Sequence, residues 1–185
     1  MPQLNNKLML DLLAEIGQNL SDLGLTGEIL LTGGASMCLV HSARDFTKDI
    51  DALYEPKKII NQIVSKIAIR ENLPVNWLND GVKGFISPNA SIEPFLTLPG
   101  LKISTVSPHY LLSMKLMASR YGNSDYEDIK FLMKKLQIYS SSSAISILSS
   151  FFPDKLVMPR TQYVIEDLIC SILEEKSNNI FKKID

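Results

Sequence analysis

The feature that most constrains the fold of this chain is a pair of short apolar runs in its N-terminal third. The first run ends at two adjacent glycines, Gly33 and Gly34, which a short helical segment follows. The second run carries two carboxylates, Asp49 and Asp51, one residue apart. Residues i and i+2 of a strand project from the same face, so these two side chains are predicted to point together.

The apolar periodicity elsewhere is mostly helical and predicts an order of elements. We expect helix, strand, helix, strand and helix, then irregular strands over residues 73–105, and finally four helices. In the irregular part, residues 101–106 are predicted as a strand, and Ser107 with Pro108 is typical of a helix start. This order indicates an α+β or α/β core over residues 1–138, followed by a C-terminal helical extension over residues 139–185.

Composition is that of an ordinary globular protein. Of the 185 residues, 45% are hydrophobic and 21% charged, and the formal net charge of -1 gives no support to a strongly basic nucleic-acid-binding surface. No apolar run approaches the roughly 20 residues that cross a bilayer, and no secretory signal is visible. Cys38 and Cys170 lie among apolar neighbours and are predicted to be buried, reduced thiols, which indicates a cytoplasmic protein.

The glycine pair has the properties of an anion-binding turn. Glycine lets the backbone approach a ligand closely, and the amides at the start of the following helix, together with the Ser36 hydroxyl, are donors for a phosphate. A tight turn from strand to helix without any ligand explains the same residues. Neither the dinucleotide-binding nor the P-loop spacing of glycines is present.

The aspartate pair is predicted to hold a divalent cation. Two adjacent like charges are unfavourable unless a cation or a shared proton relieves them. Carboxylate oxygens suit Mg²⁺, which is usually held by one or two carboxylates, waters and substrate phosphates. The alternatives are a strand edge that faces solvent and an aspartate that caps a loop. A hydrolase built on the two carboxylates alone is a further possibility, which the preceding glycines disfavour.

Three motifs together resemble a known family. They are Gly33-Gly34-Ala35-Ser36, then Arg44-x-x-Thr47-Lys48-Asp49-Ile50-Asp51, and a later block formed by residues 110–120 and Asp125-x-x-Asp128-Ile129. The first two look like the signature of the DNA polymerase β-type nucleotidyltransferase superfamily. The third is similar to small bacterial members of it, including AbiEii-type toxins of type IV toxin–antitoxin systems. The resemblance covers roughly residues 28–136.

This resemblance implies a small mixed sheet with flanking helices and a Mg²⁺-dependent transfer of a nucleotidyl group from a nucleoside triphosphate. The roles it implies are nucleotide-phosphate binding by Gly33, Gly34 and Ser36, and binding of the catalytic Mg²⁺ by Asp49 and Asp51. It further implies a catalytic and phosphate-binding role for Lys115, and a functional role for an acidic residue beyond it, for which Asp128 is the candidate. The acceptor is left open between an RNA end, a protein side chain and a small molecule.

A third carboxylate is the one part of the family pattern without a clear counterpart. Active members usually carry it on a later strand, where this sequence offers Glu93 and Asp80. Glu93 is the better candidate, although Pro94 follows it and cannot donate to a strand ladder. Arg120 is predicted to pair with Asp125 or Asp128. If the third carboxylate is missing, the alternative is a non-catalytic module that binds a nucleotide or a partner protein.

Overall fold

The structure is a computed structural model in which residues 3–118 and 124–181 are described. Within these residues the helices are α1 Asn6–Asp22, α2 Gly33–Leu39, α3 Lys57–Arg70, α4 Pro108–Ala118, α5 Ser124–Lys135, α6 Ser141–Phe151 and α7 Pro159–Phe181. The strands are β1 Leu4–Asn5, β2 Gly27–Leu31, β3 Phe46–Thr47, β4 Ile50–Glu55, β5 Leu78–Asn79, β6 Ile92–Leu98 and β7 Leu101–Val106.

Five of these strands form one mixed sheet in the order β5-β4-β2-β7-β6. The central strand β2 is antiparallel to β4 and parallel to β7, while β5 runs parallel to β4 and β6 antiparallel to β7. The strands β1 and β3 form a separate two-stranded antiparallel ladder. The predicted α+β class, with a mixed sheet and flanking helices, is confirmed.

One face of the five-stranded sheet contributes to a hydrophobic core whose buried residues lie between Leu4 and Ile103. Alternate residues of the three inner strands are buried on that face, as expected when a sheet is covered on one side. They are Ile29, Leu31, Ile50, Ala52, Tyr54, Leu101 and Ile103. The apolar faces of α1 and α3, predicted from their helical spacing, pack in the same cluster. Asp51, between Ile50 and Ala52, therefore projects from the opposite face.

The region between α3 and β7 contains the strand β6, and its proline, Pro94, lies where a ladder tolerates one. β6 is the edge strand of the sheet, so Pro94 need not donate a hydrogen bond to a further neighbour. The register between β6 and β7 shifts between Pro94 and Leu96, as in a β-bulge. A 3₁₀ turn over Gly81–Phe85 precedes this strand.

The chain divides into two compact units. The first consists of residues 1–86 and 91–107, and the second of residues 87–90 and 108–185. The boundary predicted at residues 138/139 lies inside the second unit, because α4 and α5 pack with α6 and α7. In the part of the chain that the structure describes, no helix combines the length and the apolar character needed to cross a membrane.

The two cysteines differ in exposure. Cys38 is buried in α2 as predicted, whereas Cys170 is exposed on α7, so its predicted burial is wrong. The apolar neighbours of Cys170 in the sequence are separated around the helix, and only those facing the other helices, such as Ile172, are buried. Within the described residues, neither Cys38 nor Cys170 is part of a disulfide.

Candidate functional site

The glycine turn after β2 lies directly against the second aspartate. The backbone N–H and the side-chain hydroxyl of Thr32 both donate to the Asp51 carbonyl oxygen at 3.0 Å. Gly33 follows with φ +55°, and a Cβ added there would lie 3.0 Å from Asp51 Oδ2. The turn thus requires glycine both for its backbone conformation and for the close approach of this carboxylate. The structure thus brings together the glycine turn and the aspartate-bearing strand, as the sequence predicts.

Gly34 is enclosed by the loop that leads to the aspartates. A Cβ at Gly34 would collide with the Thr47 hydroxyl, and it would lie 3.6 Å from Arg44 Nη1. Thr47 is buried and is held by the pairing of β3 with β1. A guanidinium therefore lies beside the glycine turn. Arg44 is part of the sequence motif, which by itself predicts no separate role for this side chain.

Ser36 has a different environment from the one predicted for it. Its side chain is fully buried, and its hydroxyl is hydrogen-bonded to the Thr105 hydroxyl at 2.8 Å. This contact ties α2 to β7. The geometry supports a structural function for the hydroxyl and gives no support to its predicted contact with a phosphate.

Asp49 and Asp51 form the like-charged pair that their spacing predicts. Asp49 directly precedes β4, Asp51 is the second residue of that strand, and both are half-buried. Burial and then the charge of Asp51 raise the pKa of the Asp49 carboxyl, against a smaller lowering by Lys48. The free pair is thus electrostatically unfavourable, which is the condition that a bound cation relieves.

The neighbour of this pair on β5 is an amide that sequence reasoning missed. Asn79 is the register partner of Asp51, and its Nδ2 lies 3.5 Å from Asp49 Oδ2. β5 has only two residues, Leu78 and Asn79, which is too short for any alternation of polar and apolar positions to be recognised. The buried Trp77 and the turn residues that follow Asn79 were the only signals available.

Glu93, the predicted third carboxylate, lies at the other edge of the sheet. Three strand spacings, about 14 Å, separate its strand from that of Asp51. The registers Glu93↔Thr105, Leu31↔Thr105 and Leu31↔Ala52 place Glu93 on the face of Ala52. Asp51, adjacent to Ala52, points from the opposite face. The structure therefore does not bring Glu93 to the aspartate pair, and its predicted catalytic role is not supported.

Asp80, the second candidate, has another partner. Its carboxylate forms an ion pair with Lys57, and the hydrogen bond from that ammonium holds the pKa of Asp80 below its usual range. Within residues 3–118 and 124–181, no group of three or more His, Cys, Asp or Glu side chains is arranged to hold a metal ion. The candidate site accordingly contains two carboxylates and one amide.

Lys115 belongs to the second unit, where it is buried between two carboxylates. Its ammonium lies 2.6 Å from Asp128 and 2.9 Å from Asp125. Lys115 is 6% exposed and Asp128 2%. These contacts join α4 to α5. They give Lys115 and Asp128 a structural role, whereas the family resemblance implies a functional one. Arg120, predicted to pair with the same carboxylates, lies outside the described residues.

The residues of the aspartate pair fit a single divalent cation. Two carboxylates supply the oxygen ligands, and Mg²⁺ commonly completes its shell with waters and substrate phosphates. The adjacent Gly33-Gly34 turn and the Arg44 guanidinium offer close backbone approach and positive charge to such phosphates. No family model, curated protein or solved structure matches this chain.

Proposed function

We infer that this chain is a Mg²⁺-dependent nucleotidyltransferase of the DNA polymerase β type. The observation that carries the proposal is the contact of the Asp51 carboxylate with the Gly33 turn, beside a second carboxylate of raised pKa. This arrangement joins a place for phosphates to a place for a cation, which is what a metal-bound nucleotide needs.

In the proposed reaction, an acceptor oxygen attacks the α-phosphorus of a nucleoside triphosphate. The bond from the α-phosphorus to the bridging oxygen of the β-phosphate breaks, pyrophosphate leaves, and the acceptor proton passes to solvent. The main contribution of the chain's own residues is to position the triphosphate for this attack. The Gly33-Gly34 turn lets the triphosphate approach the backbone, and the Arg44 guanidinium pairs with its oxygens. Asp49 and Asp51 would hold Mg²⁺, which when bound offsets negative charge on the phosphates.

The acceptor is an RNA end, a protein side chain or a small molecule. A net charge of -1 disfavours unaided binding of a long nucleic acid, because affinity for phosphodiester backbones comes largely from Lys and Arg. The toxin-like branch of the resemblance would make the protein a cytoplasmic component of a toxin–antitoxin pair, with a partner protein as antitoxin.

The test is label transfer from α-labelled nucleoside triphosphates in the presence of Mg²⁺. With cell extract as the source of acceptors, we expect labelling by the wild-type protein and its loss in Asp49→Ala and Asp51→Ala. Glu93→Ala is the matched control, because it removes a carboxylate from the far edge of the sheet and should leave labelling intact. Equal labelling by all four proteins would exclude the aspartate pair as the reaction site.

A second candidate function is a nucleotide-binding module without catalysis. It is favoured by Asn79, an amide on the strand beside Asp51, and by the engagement of the Lys115 ammonium with two carboxylates. Thermal denaturation with Mg²⁺ and each nucleotide in turn distinguishes the two functions. A nucleotide-dependent rise in midpoint without label transfer to any acceptor supports the module, whereas transfer supports the enzyme.

A further inference from the structure

The side chain of Asn79 has a defined orientation. Its carbonyl oxygen Oδ1 accepts a hydrogen bond from the Gly81 backbone N–H at 2.9 Å. The amide nitrogen therefore points the other way, and it lies 3.5 Å from both Asp49 Oδ2 and the Asn76 carbonyl oxygen. Because the oxygen is already engaged as an acceptor, the group that Asn79 presents to the Asp49 carboxylate is a donor.

The same side chain lies beside both members of the aspartate pair. Asn79 is the direct register partner of Asp51 across the β4–β5 ladder, so the two side chains share one face of the sheet. An amide adds no negative charge at this position. Among the described residues, the pair thus has no third carboxylate within its cluster.

We propose that Asn79 positions Asp49 and sets the affinity of the aspartate pair for a divalent cation by holding its charge at two carboxylates. The proposal rests on the proposed function only in treating the pair as a cation site. The Asn79 donor orients the Asp49 carboxylate, as groups around metal ligands commonly do. Its neutrality limits how strongly the site attracts a cation, because affinity rises with the number of charged ligands.

Two substitutions at residue 79 separate this function from a merely structural one. Asn79→Asp keeps the size of the side chain and an oxygen that can accept from Gly81 N–H, but replaces the donor facing Asp49 with a carboxylate oxygen. Asn79→Ala removes both groups. A residue that only closed the turn before the 3₁₀ helix would leave the site unchanged in Asn79→Asp and weaken it in Asn79→Ala, because only alanine lacks the oxygen that accepts from Gly81 N–H. A residue that sets its charge gives opposite results in the two.

The experiment is titration of the full chain with Mn²⁺ alone, with free Mn²⁺ measured by electron paramagnetic resonance. We expect Asn79→Asp to bind Mn²⁺ about tenfold more tightly than the wild type, and Asn79→Ala roughly tenfold less tightly. The matched control is Asn76→Asp, which adds the same charge at an exposed residue in the turn before β5, three positions from Asn79. Its affinity should stay within about twofold of the wild type.

Thermal denaturation of the same proteins provides a second readout. Without metal, Asn79→Asp should melt below Asn76→Asp, because a third carboxylate faces the pair, and Mn²⁺ should raise its midpoint further than that of the control. Equal Mn²⁺ affinities and equal Mn²⁺-induced shifts in the two aspartate variants would overturn the proposal. Its failure is distinct from that of the proposed function, since nucleotide and label transfer enter neither measurement.

Discussion

Asp49 shows how a single residue can lower stability in the absence of a ligand. The carboxyl is half-buried and next to Asp51, and both conditions raise its pKa above the ordinary value of an aspartate. The folded chain therefore binds a proton at this carboxyl more readily than the unfolded chain does. As pH rises through the window between the unfolded and the folded pKa, the proton is lost and the free energy of unfolding falls. At neutral pH the charged carboxylate opposes folding unless a cation is bound.

Replacing Asp49 by Asn should consequently stabilise the metal-free protein. At pH 7.5 with a chelator present, we expect the thermal midpoint of Asp49→Asn to lie roughly 1–2 °C above that of the wild type. The gain should disappear below about pH 4, where the wild-type carboxyl is protonated. Addition of Mn²⁺ should stabilise the wild type and leave the variant unchanged, so that the order of the two midpoints reverses.

Asp45→Asn is the control for this pH dependence. Asp45 is an exposed carboxylate in the loop before β3, four residues from Asp49, and the same substitution removes the same charge. Its midpoint should follow that of the wild type at both pH values. If Asp49→Asn melts below the wild type at pH 7.5 without metal, the aspartate pair carries no electrostatic cost and the cation site loses its physical basis.

At the scale of elements, the most demanding contact is the buried ion group between α4 and α5. Lys115 and Asp128 are both almost completely buried, and Asp125 completes the group from the first turn of α5. A buried charge is tolerated only when it is paired, and removing one partner typically costs about 3–5 kcal/mol. The group thus determines how α4 and α5 pack against each other, independently of any ligand.

The double replacement of Lys115 and Asp128 tests this interpretation. We expect Lys115→Met to lower the free energy of unfolding of the second unit by roughly 3 kcal/mol, because Asp128 keeps a buried charge without the ammonium. Lys115→Met with Asp128→Asn should cost less than Lys115→Met alone. The measurement is unfolding of each variant by urea. The control is Lys7→Met, which breaks an exposed ion pair with Asp11 and should change the free energy of unfolding by less than about 0.5 kcal/mol. With Asp128→Asn measured as the second single variant, a double-variant loss equal to the sum of the two single losses would show that the charges are not coupled.

Which elements could be predicted depended on their length. The helices α1, α3 and α5 are 17, 14 and 12 residues long, so their apolar spacing repeats and predicts their buried faces. The strands β1, β3 and β5 have two residues each, so no periodicity exists to be recognised. Their positions are determined by tertiary pairing.

The candidate site was predictable to the same extent. The contact of Gly33 with Asp51 joins neighbouring strands, β2 and β4, that are close in sequence, and it could be inferred from the motif. Asn79 lies on one of the two-residue strands and could not. The acidic side chain of Glu93 makes it a candidate in the sequence, but its distance from the pair depends on strand order and on the parity of three registers. Neither quantity can be read from local sequence.

At the scale of the whole molecule, the polypeptide passes between the two units more than once. Residues 87–90, between the 3₁₀ turn and β6, belong to the second unit although residues on both sides belong to the first. Within the second unit the Ser87 backbone N–H donates to the buried Tyr110 hydroxyl at 2.6 Å, and the Ser87 hydroxyl donates to the Phe151 carbonyl at 2.6 Å. The Tyr110 ring also packs edge-on against Phe151. The sequence alone does not predict that residues 87–90 belong to the second unit, because the contacts that attach them are distant in sequence.

The Tyr110 hydroxyl is therefore expected to govern the stability of residues 87–90. Tyr110→Phe keeps the ring contacts but leaves the buried Ser87 N–H without this acceptor, a loss of about 1–3 kcal/mol. Hydrogen exchange of the Ser87 amide should accelerate roughly 10- to 100-fold, while amides of β2 and β7 in the first unit keep their wild-type rates. Tyr163→Phe, at a residue that is 69% exposed, should leave every rate unchanged. If Tyr110→Phe instead accelerates exchange equally throughout both units, residues 87–90 do not open separately, and their attachment to the second unit contributes only to global stability.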